Sequence, residues 1–294
     1  MGLIERVVSD GPSGPERPQR PSAAAAGPQF DLDFEALAAR GAFTPDGFGR
    51  AHVLELRAIK RALLKRIGLL HGGARRGTRG AGRSRNVIVV TSTRPGEGKT
   101  FTSVNLALSL ALEEKASVLL IDGDALKPKV RSYFDLPEGP GFVDRLADPK
   151  LSVASLAWRA RQAPLAILGE GATRGPAADL FASDDARAFF ARASAAAPDR
   201  LIIVDAPPML ATTEAFALAR HADEVLFVVQ ADATPQQAVA MALDELLEAN
   251  PSVSLVLNRC LVPGGGAHYG SYGEYYTRAP GGGAASEEER PRSD

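Results

Sequence analysis

Short, unbroken apolar runs alternate with longer periodic stretches through the middle and later parts of the chain. Val87–Val90, Ala116–Ile121, Leu201–Val204, Glu224–Val229 and Ser252–Leu257 read as strands, and Leu165–Leu168 as a weaker one. A continuous apolar run such as Val87–Val90 marks a strand buried on both faces. Between them, Phe101–Leu112, Ala186–Ala197, Thr213–Arg220 and Pro235–Glu248 carry apolar residues at helical spacing. Strands alternating with helices predict an α/β fold, with a mainly parallel sheet flanked by helices. Upstream, His52–Leu70 repeats Leu56, Ile59, Leu63, Ile67 and Leu70 at three- and four-residue steps, with Arg and Lys between them.

The pattern divides the chain into four parts. Residues 1–50 are expected to be mostly disordered, because 9–29 is rich in Pro, Gly, Ala and Ser and buries too little apolar surface to offset its ordering entropy. Residues 51–85 form a basic helix and a Gly/Arg linker, 86–262 the folded phosphate-loop domain, and 263–294 a flexible tyrosine-rich tail.

Formal net charge over the 294 residues is -1, so the whole-molecule field selects no partner. The local distribution says more. Arg57 to Arg85 contains ten Lys or Arg and no acid. We read that stretch as a solvated helix face plus linker, against the alternative of a scaffold for nucleic acid or anionic lipid. No nucleic-acid partner is expected. The single cysteine, Cys260, excludes an intrachain disulfide and fits a reducing compartment. The four histidines are scattered and suggest no soft-ligand metal site. No apolar run approaches the roughly 18–20 residues of a membrane span, and the first residues do not read as a secretory leader. A cytoplasmic location is the expectation.

The strongest chemical signal is Thr93-Arg-Pro-Gly-Glu-Gly-Lys-Thr100, which follows a predicted strand and opens a predicted helix. That is the context of a phosphate-binding loop. Loop and first-turn N–H groups of Pro95–Phe101 face anionic phosphates, helped by the helix dipole. Gly96 and Gly98 allow close backbone approach, Lys99 reaches the β- and γ-phosphates of ATP, and Thr100 offers its hydroxyl to Mg2+. The first position of the motif, usually glycine, is Thr93 here. Asp122 and Asp124 stand at the carboxyl end of a buried strand, on one side of an extended chain, where open α/β sheets place ligands. They suit the roles of metal ligand and general base, or of simple caps. Asp205, ending the run Leu201–Val204, fits an Mg2+-holding carboxylate. Asn258, after the last strand, is a candidate for the adenine edge or an ordinary turn residue.

Four of the five tyrosines, Tyr269, Tyr272, Tyr275 and Tyr276, lie in one stretch of the tail. Such a tail serves either as an aromatic interaction segment or as a leash carrying hydroxyls to a γ-phosphate, and phosphorylation would add roughly -1.5 to -2 charges per tyrosine.

Together these stretches resemble the bacterial tyrosine kinases (BY-kinases), in particular the free-standing soluble autokinases associated with exopolysaccharide and exosortase loci. The matching segments are Ser92–Ala107, Val118–Pro128, Ile202–Pro208, Val256–Arg259 and the tyrosine cluster, and the resemblance spans about Glu55 to Tyr276. It implies a P-loop fold shared with partition and septum-positioning ATPases. It also implies ATP with Mg2+, Lys99, Asp122, Asp124 and Asp205 as catalytic residues, and Thr100, Asp122 and Asp205 toward the metal. The tail tyrosines become phosphoacceptors, modified in trans around a ring of subunits. Further implications are a membrane polysaccharide co-polymerase as activator at the inner face of the plasma membrane, a phosphotyrosine phosphatase, and control of exopolysaccharide or capsule polymerisation and export. The family's oligomerisation motif resembles Glu55–Lys60, with Leu54 where an acid is expected, and Leu126 stands where Arg is frequent. The rival reading is a partition-type ATPase switch without kinase activity; its signature Lys early in the loop is Arg94 here.

Overall fold

The computed structural model of the chain describes residues 27–47, 51–69, 85–172 and 177–260. Most of the segment expected to be disordered, the Gly/Arg linker over 72–84 and the tyrosine tail lie outside these described residues. Chain contacts divide the protein into Met1–Asn258 and Arg259–Asp294. Of the second unit Arg259 and Cys260 are described, and both are exposed.

The first unit opens with β1 (Gln29–Phe30), α1 (Phe34–Ala39), a short 3-10 turn (Pro45–Gly47) and α2 (Ala51–Arg66). β2 (Val87–Ser92), α3 (Lys99–Glu113) and β3 (Val118–Asp122) follow. Three short helices, α4 (Val130–Tyr133), α5 (Phe142–Ala147) and α6 (Val153–Leu156), lead to β4 (Trp158–Ala160) and β5 (Leu165–Leu168). The chain continues through α7 (Ala177–Ala182), α8 (Asp184–Ala196), β6 (Leu201–Asp205), α9 (Glu214–Ala219), β7 (Glu224–Gln230), α10 (Gln236–Ala249) and β8 (Val253–Asn258).

One sheet holds all eight strands in the order β1-β4-β5-β3-β6-β2-β7-β8. Every pairing is parallel except β4 with β5. The central strands alternate between two cores, as a parallel sheet covered on both faces requires. Val87 and Val89 of β2 face one core with Phe142, Phe181, Phe189 and Leu246. Ile88 and Val90 face the other with Val104, Leu108, Leu56 and Leu63. The α/β expectation therefore holds, and the predicted strands fall within one or two residues of those observed.

The N-terminal segment adds what periodicity did not reveal. Residues 27–47 fall in the stretch expected to be mostly disordered, yet β1 extends the sheet edge and the apolar side chains of this segment enter a core. Phe30, Leu32, Leu37 and Phe43 are all buried in the second core. Four large apolar side chains supply enough burial to hold a short segment, at about 1.5–3 kcal/mol each when fully buried.

The basic helix α2 also differs from a solvated face. Its apolar stripe (Val53, Leu56, Leu63) enters the second core. Several of its cations then bond to the domain. Arg57 Nε donates to Glu113 at 2.7 Å, and Lys60 Nζ donates to Glu113 at 2.6 Å and lies 3.0 Å from Glu114. Arg66 donates at 2.6 Å to Glu224, a fully buried carboxylate that also accepts the hydroxyls of Ser252 and Ser254. Burial pushes the Glu113 carboxyl up, but hydrogen bonds from Lys60, Ser109 and Arg57 outweigh it and hold it below the usual range. Glu113→Ala would leave the buried Lys60 ammonium short of its main partner. We expect it to lower unfolding stability by about 2 kcal/mol in urea titrations. A loss under about 0.5 kcal/mol would mean that apolar packing alone docks α2.

Candidate functional site

At the end of β2 the chain turns through Thr93–Gly98 into α3. Two glycines with left-handed backbone make that turn, Gly96 at φ 89° and Gly98 at φ 103°. Gly98 is also pressed against the end of β8, where an added Cβ would sit 2.0 Å from Asn258 Nδ2. Asn258 Nδ2 donates to the Glu97 carbonyl at 2.8 Å. The Glu97 carboxylate accepts the Arg94 N–H at 3.0 Å and the Thr234 hydroxyl. The loop is thus clamped from β8 and from the turn before α10, while Pro95 and Gly96 stay exposed. Phe101 leans away toward the N-terminal segment, where a Cβ on Gly41 would lie 3.4 Å from its ring. No side chain caps α3, so its first N–H groups keep their preference for an anion.

Three carboxylates converge on this turn. Asp122 of β3 and Asp205 of β6 are register partners on neighbouring parallel strands, and both are fully buried. Asp205 accepts the Thr100 hydroxyl at 2.7 Å and the Ser103 hydroxyl at 3.0 Å. Asp122 accepts three backbone N–H groups, from Asp124, Lys129 and Val130, at 3.1, 3.0 and 2.9 Å. Asp124 accepts the Lys127 N–H at 3.0 Å and holds Lys99 Nζ at 2.7 Å, with Asp205 3.9 Å from the same ammonium.

Burial and mutual repulsion govern the charges. Burial, then the neighbouring Asp205 charge, raises the Asp122 carboxyl to about 7, against the pull of its backbone donors. Burial also raises Asp205, opposed by Lys99 and the two hydroxyls. For Lys99, burial pulls downward, but Asp205 and Asp124 outweigh it and the net shift is upward.

The structure therefore brings Lys99, Thr100, Asp122, Asp124, Asp205 and Asn258 to one end of the sheet. The acceptor candidates Tyr269, Tyr272, Tyr275 and Tyr276 lie outside the described residues. Sequence reasoning missed Ser103, although it stands four residues after Lys99 on the same helical face. It also missed Glu97 as a clamp and Glu214, whose carboxyl is raised by burial and then by Asp124. Thr93 Oγ1, Thr212 Oγ1 and Glu214 Oε2 are buried without hydrogen-bond partners, on two segments joined by the Leu210 N–H to Thr93 carbonyl bond. Unpartnered buried polar atoms beside a phosphate-loop turn point to a ligand or ordered water. Among the described residues no group of three or more His, Cys, Asp or Glu is arranged to hold a metal by protein ligands alone. One hydroxyl with two carboxylates fits an Mg2+ that shares its shell with phosphates and water.

Comparison with known proteins follows the same line. No family profile matches the chain. The tyrosine-protein kinase YwqD of Bacillus subtilis is 33% identical over 159 residues, spanning 54% of this chain and 65% of that protein. EpsB of Ralstonia nicotianae is 31% identical over 192 residues, 64% of this chain; the chain spans 25% of EpsB's length. The kinase domain of VpsO matches in structure with a TM-score of 0.57 and 28% identity, over 73% of this chain and 100% of that domain.

The clamp at Gly98 yields a direct test. Gly98→Ala meets two penalties, the positive φ and the collision with Asn258, together about 1–3 kcal/mol of stability. Asn258→Gly added to it should recover the steric part only, as measured by a double-mutant cycle of thermal unfolding. Full recovery would show that φ at this turn is unimportant.

Proposed function

We propose that this chain is a member of the bacterial tyrosine kinase family and an ATP-dependent protein-tyrosine autokinase whose acceptors are Tyr269, Tyr272, Tyr275 and Tyr276. The observation that carries the reading is the convergence of Lys99, Thr100 and three strand-end carboxylates at one turn, in a chain with four tyrosines clustered in its tail.

Phosphoryl transfer depends on positioning and charge neutralisation more than on covalent chemistry. The loop Pro95–Phe101 would cradle the phosphates of ATP through its N–H groups, with Asn258 beside the base. Lys99 would exchange Asp124 for a phosphate oxygen, a move of one flexible side chain from one anion to another. That exchange frees Asp124 to accept the proton of an incoming tyrosine hydroxyl. Thr100, Asp122 and Asp205 would hold Mg2+, which supplies positive charge to the phosphates when bound. Ser103 keeps Asp205 aligned from one turn further along α3.

The setting we propose follows the family. Tails would be phosphorylated in trans within a homo-oligomer, possession of a ring being the family's arrangement. Arg57 and Lys60, which match the family's contact helix, are bonded to Glu113 within the subunit, so any contact through α2 has to use other side chains or break these pairs. A membrane polysaccharide co-polymerase would activate the kinase and recruit it from the cytoplasm to the inner face of the plasma membrane. A phosphotyrosine phosphatase would reverse the modification, and the output would be control of exopolysaccharide or capsule polymerisation and export. Among the described residues no helix is long and apolar enough to cross a membrane.

Two outcomes test the reading. Purified chain given Mg-ATP, with and without the cytoplasmic part of a co-polymerase, should gain phosphotyrosine, and Lys99→Met should reduce it at least a hundredfold. ATP hydrolysis without phosphotyrosine would instead indicate a partition-type switch. The second outcome concerns pH. A bound cation favours the charged form of Asp122, so Mg-nucleotide binding releases its proton. Affinity for Mg-ADP should therefore rise with pH up to about 7 and then level off. By calorimetry it should be roughly tenfold weaker at pH 6 than at pH 8, and Asp122→Asn should flatten the profile.

A further inference from the structure

A second pocket, of about 170 Å3, lies where α7, α8 and α9 meet. Ala182, Phe190, Ala191 and Ala217 give it apolar walls, Arg187 and Arg220 give it a cationic side, and His221 completes the lining. It shares no residue with the turn around Lys99. Its floor is fixed. Phe190 and Ala217 are buried, and the imidazole of His221 stacks on Phe190 with centroids 5.0 Å apart at 23°. His221 Nε2 lies 2.7 Å from the Phe181 carbonyl oxygen.

The charges around the pocket are uneven. Arg187 reaches in from α8 and pairs at 2.9 Å with Asp184, an exposed carboxylate outside the lining. Arg220, at the C-terminal end of α9, forms no ion pair among the described residues. Among the described residues no lining side chain is acidic. Two guanidinium groups facing one cavity repel each other, and an oxyanion between them converts that repulsion into attraction. Their forked donors suit phosphate oxygens in particular.

Size narrows the ligand further. A cavity of about 150 Å3 accommodates one benzene ring. Pockets for larger small-molecule ligands run from roughly 300 to 1,000 Å3. The space therefore matches one aromatic side chain rather than a nucleotide. A ring against the alanines and Phe190, with an anionic substituent between Arg187 and Arg220, satisfies both halves of the lining.

We propose that this pocket binds a phosphotyrosine side chain presented by a second copy of this chain. The origin of the phosphotyrosine rests on the autokinase reading, whereas the aryl-phosphate chemistry of the pocket does not. The phosphate takes the place of a missing carboxylate, and the ring removes apolar wall from water.

Synthetic peptides separate the two questions, because they carry the phosphate ester without any kinase reaction. A labelled peptide spanning His268–Tyr276 is titrated into the full chain by fluorescence anisotropy, phosphorylated at Tyr272 or unmodified. Lys99→Met protein is titrated in parallel to discount binding at the phosphate loop. Two pocket variants are used: the double substitution Arg187→Gln with Arg220→Gln, and Ala191→Trp, which fills the pocket from an exposed position. The phosphopeptide should bind wild-type and Lys99→Met chains alike, and at least tenfold more weakly to both pocket variants and at high salt. The unmodified peptide should bind at least tenfold more weakly to the wild-type chain. Absence of phosphopeptide binding, or binding indifferent to both pocket variants, overturns the proposal. So does retention of inorganic phosphate alone, which would make the arginines a simple anion site. A chain that gains no phosphotyrosine from Mg-ATP overturns the autokinase reading and leaves the peptide titration to decide the pocket.

Discussion

Two carboxylates at matching positions on adjacent buried strands, Asp122 and Asp205, set the terms for the rest of the site. Such a pair is unfavourable when charged, since neither is solvated and each repels the other. The fold answers with separate devices. Asp122 is given three backbone donors from the turn that follows it, while Asp205 takes two hydroxyls from α3. Lys99 then enters as a buried cation within reach of Asp124 and Asp205. The backbone donors come from the turn after β3 and the hydroxyls and lysine from α3, so β3, β6 and α3 must be mutually aligned before the cluster can be tolerated. A sheet buried on both faces provides that rigidity.

The same arrangement explains why the site is poised for a ligand. Its cation is balanced internally by Asp124, and burial holds the Asp122 and Asp205 carboxyls above their ordinary range. A polyanion carrying a divalent cation would relieve both conditions: the lysine gains stronger acceptors, and the carboxylates gain a counter-charge. This is electrostatic preorganisation, in which the fold maintains an unfavourable local arrangement that ligand binding completes.

Much of this was legible in the sequence, for identifiable reasons. Strands buried on both faces give continuous apolar runs, and their terminal acids stand out against them, which is how Asp122, Asp124 and Asp205 were found. The phosphate loop was legible because glycine spacing and the strand-to-helix context agree. Other features depend on partners distant in sequence. Nothing near Arg57 or Lys60 announces Glu113, and a row of cations looks the same whether it faces water or a carboxylate. The Lys99–Asp124 bond links residues whose roles were assigned separately. The segment around Phe30, Leu32, Leu37 and Phe43 has neither strand nor helix period, because a two-residue strand and a six-residue helix are too short to show one. The pocket beneath Arg187 and Arg220 is assembled from three helices and has no local signature.

The central claim is that the carboxylate and lysine cluster transfers phosphate to tyrosines of another copy. The most direct measurement mixes two purified variants with Mg-ATP: a Lys99→Met chain that retains its tyrosines, and a chain with Lys99 intact whose four tail tyrosines are replaced by Phe. Site-resolved mass spectrometry then locates phosphate. The account predicts phosphate on Tyr269, Tyr272, Tyr275 or Tyr276 of the Lys99→Met chain, and only when its partner is present. An unmodified Lys99→Met chain in that mixture, under conditions where the wild-type protein gains phosphotyrosine, would contradict it.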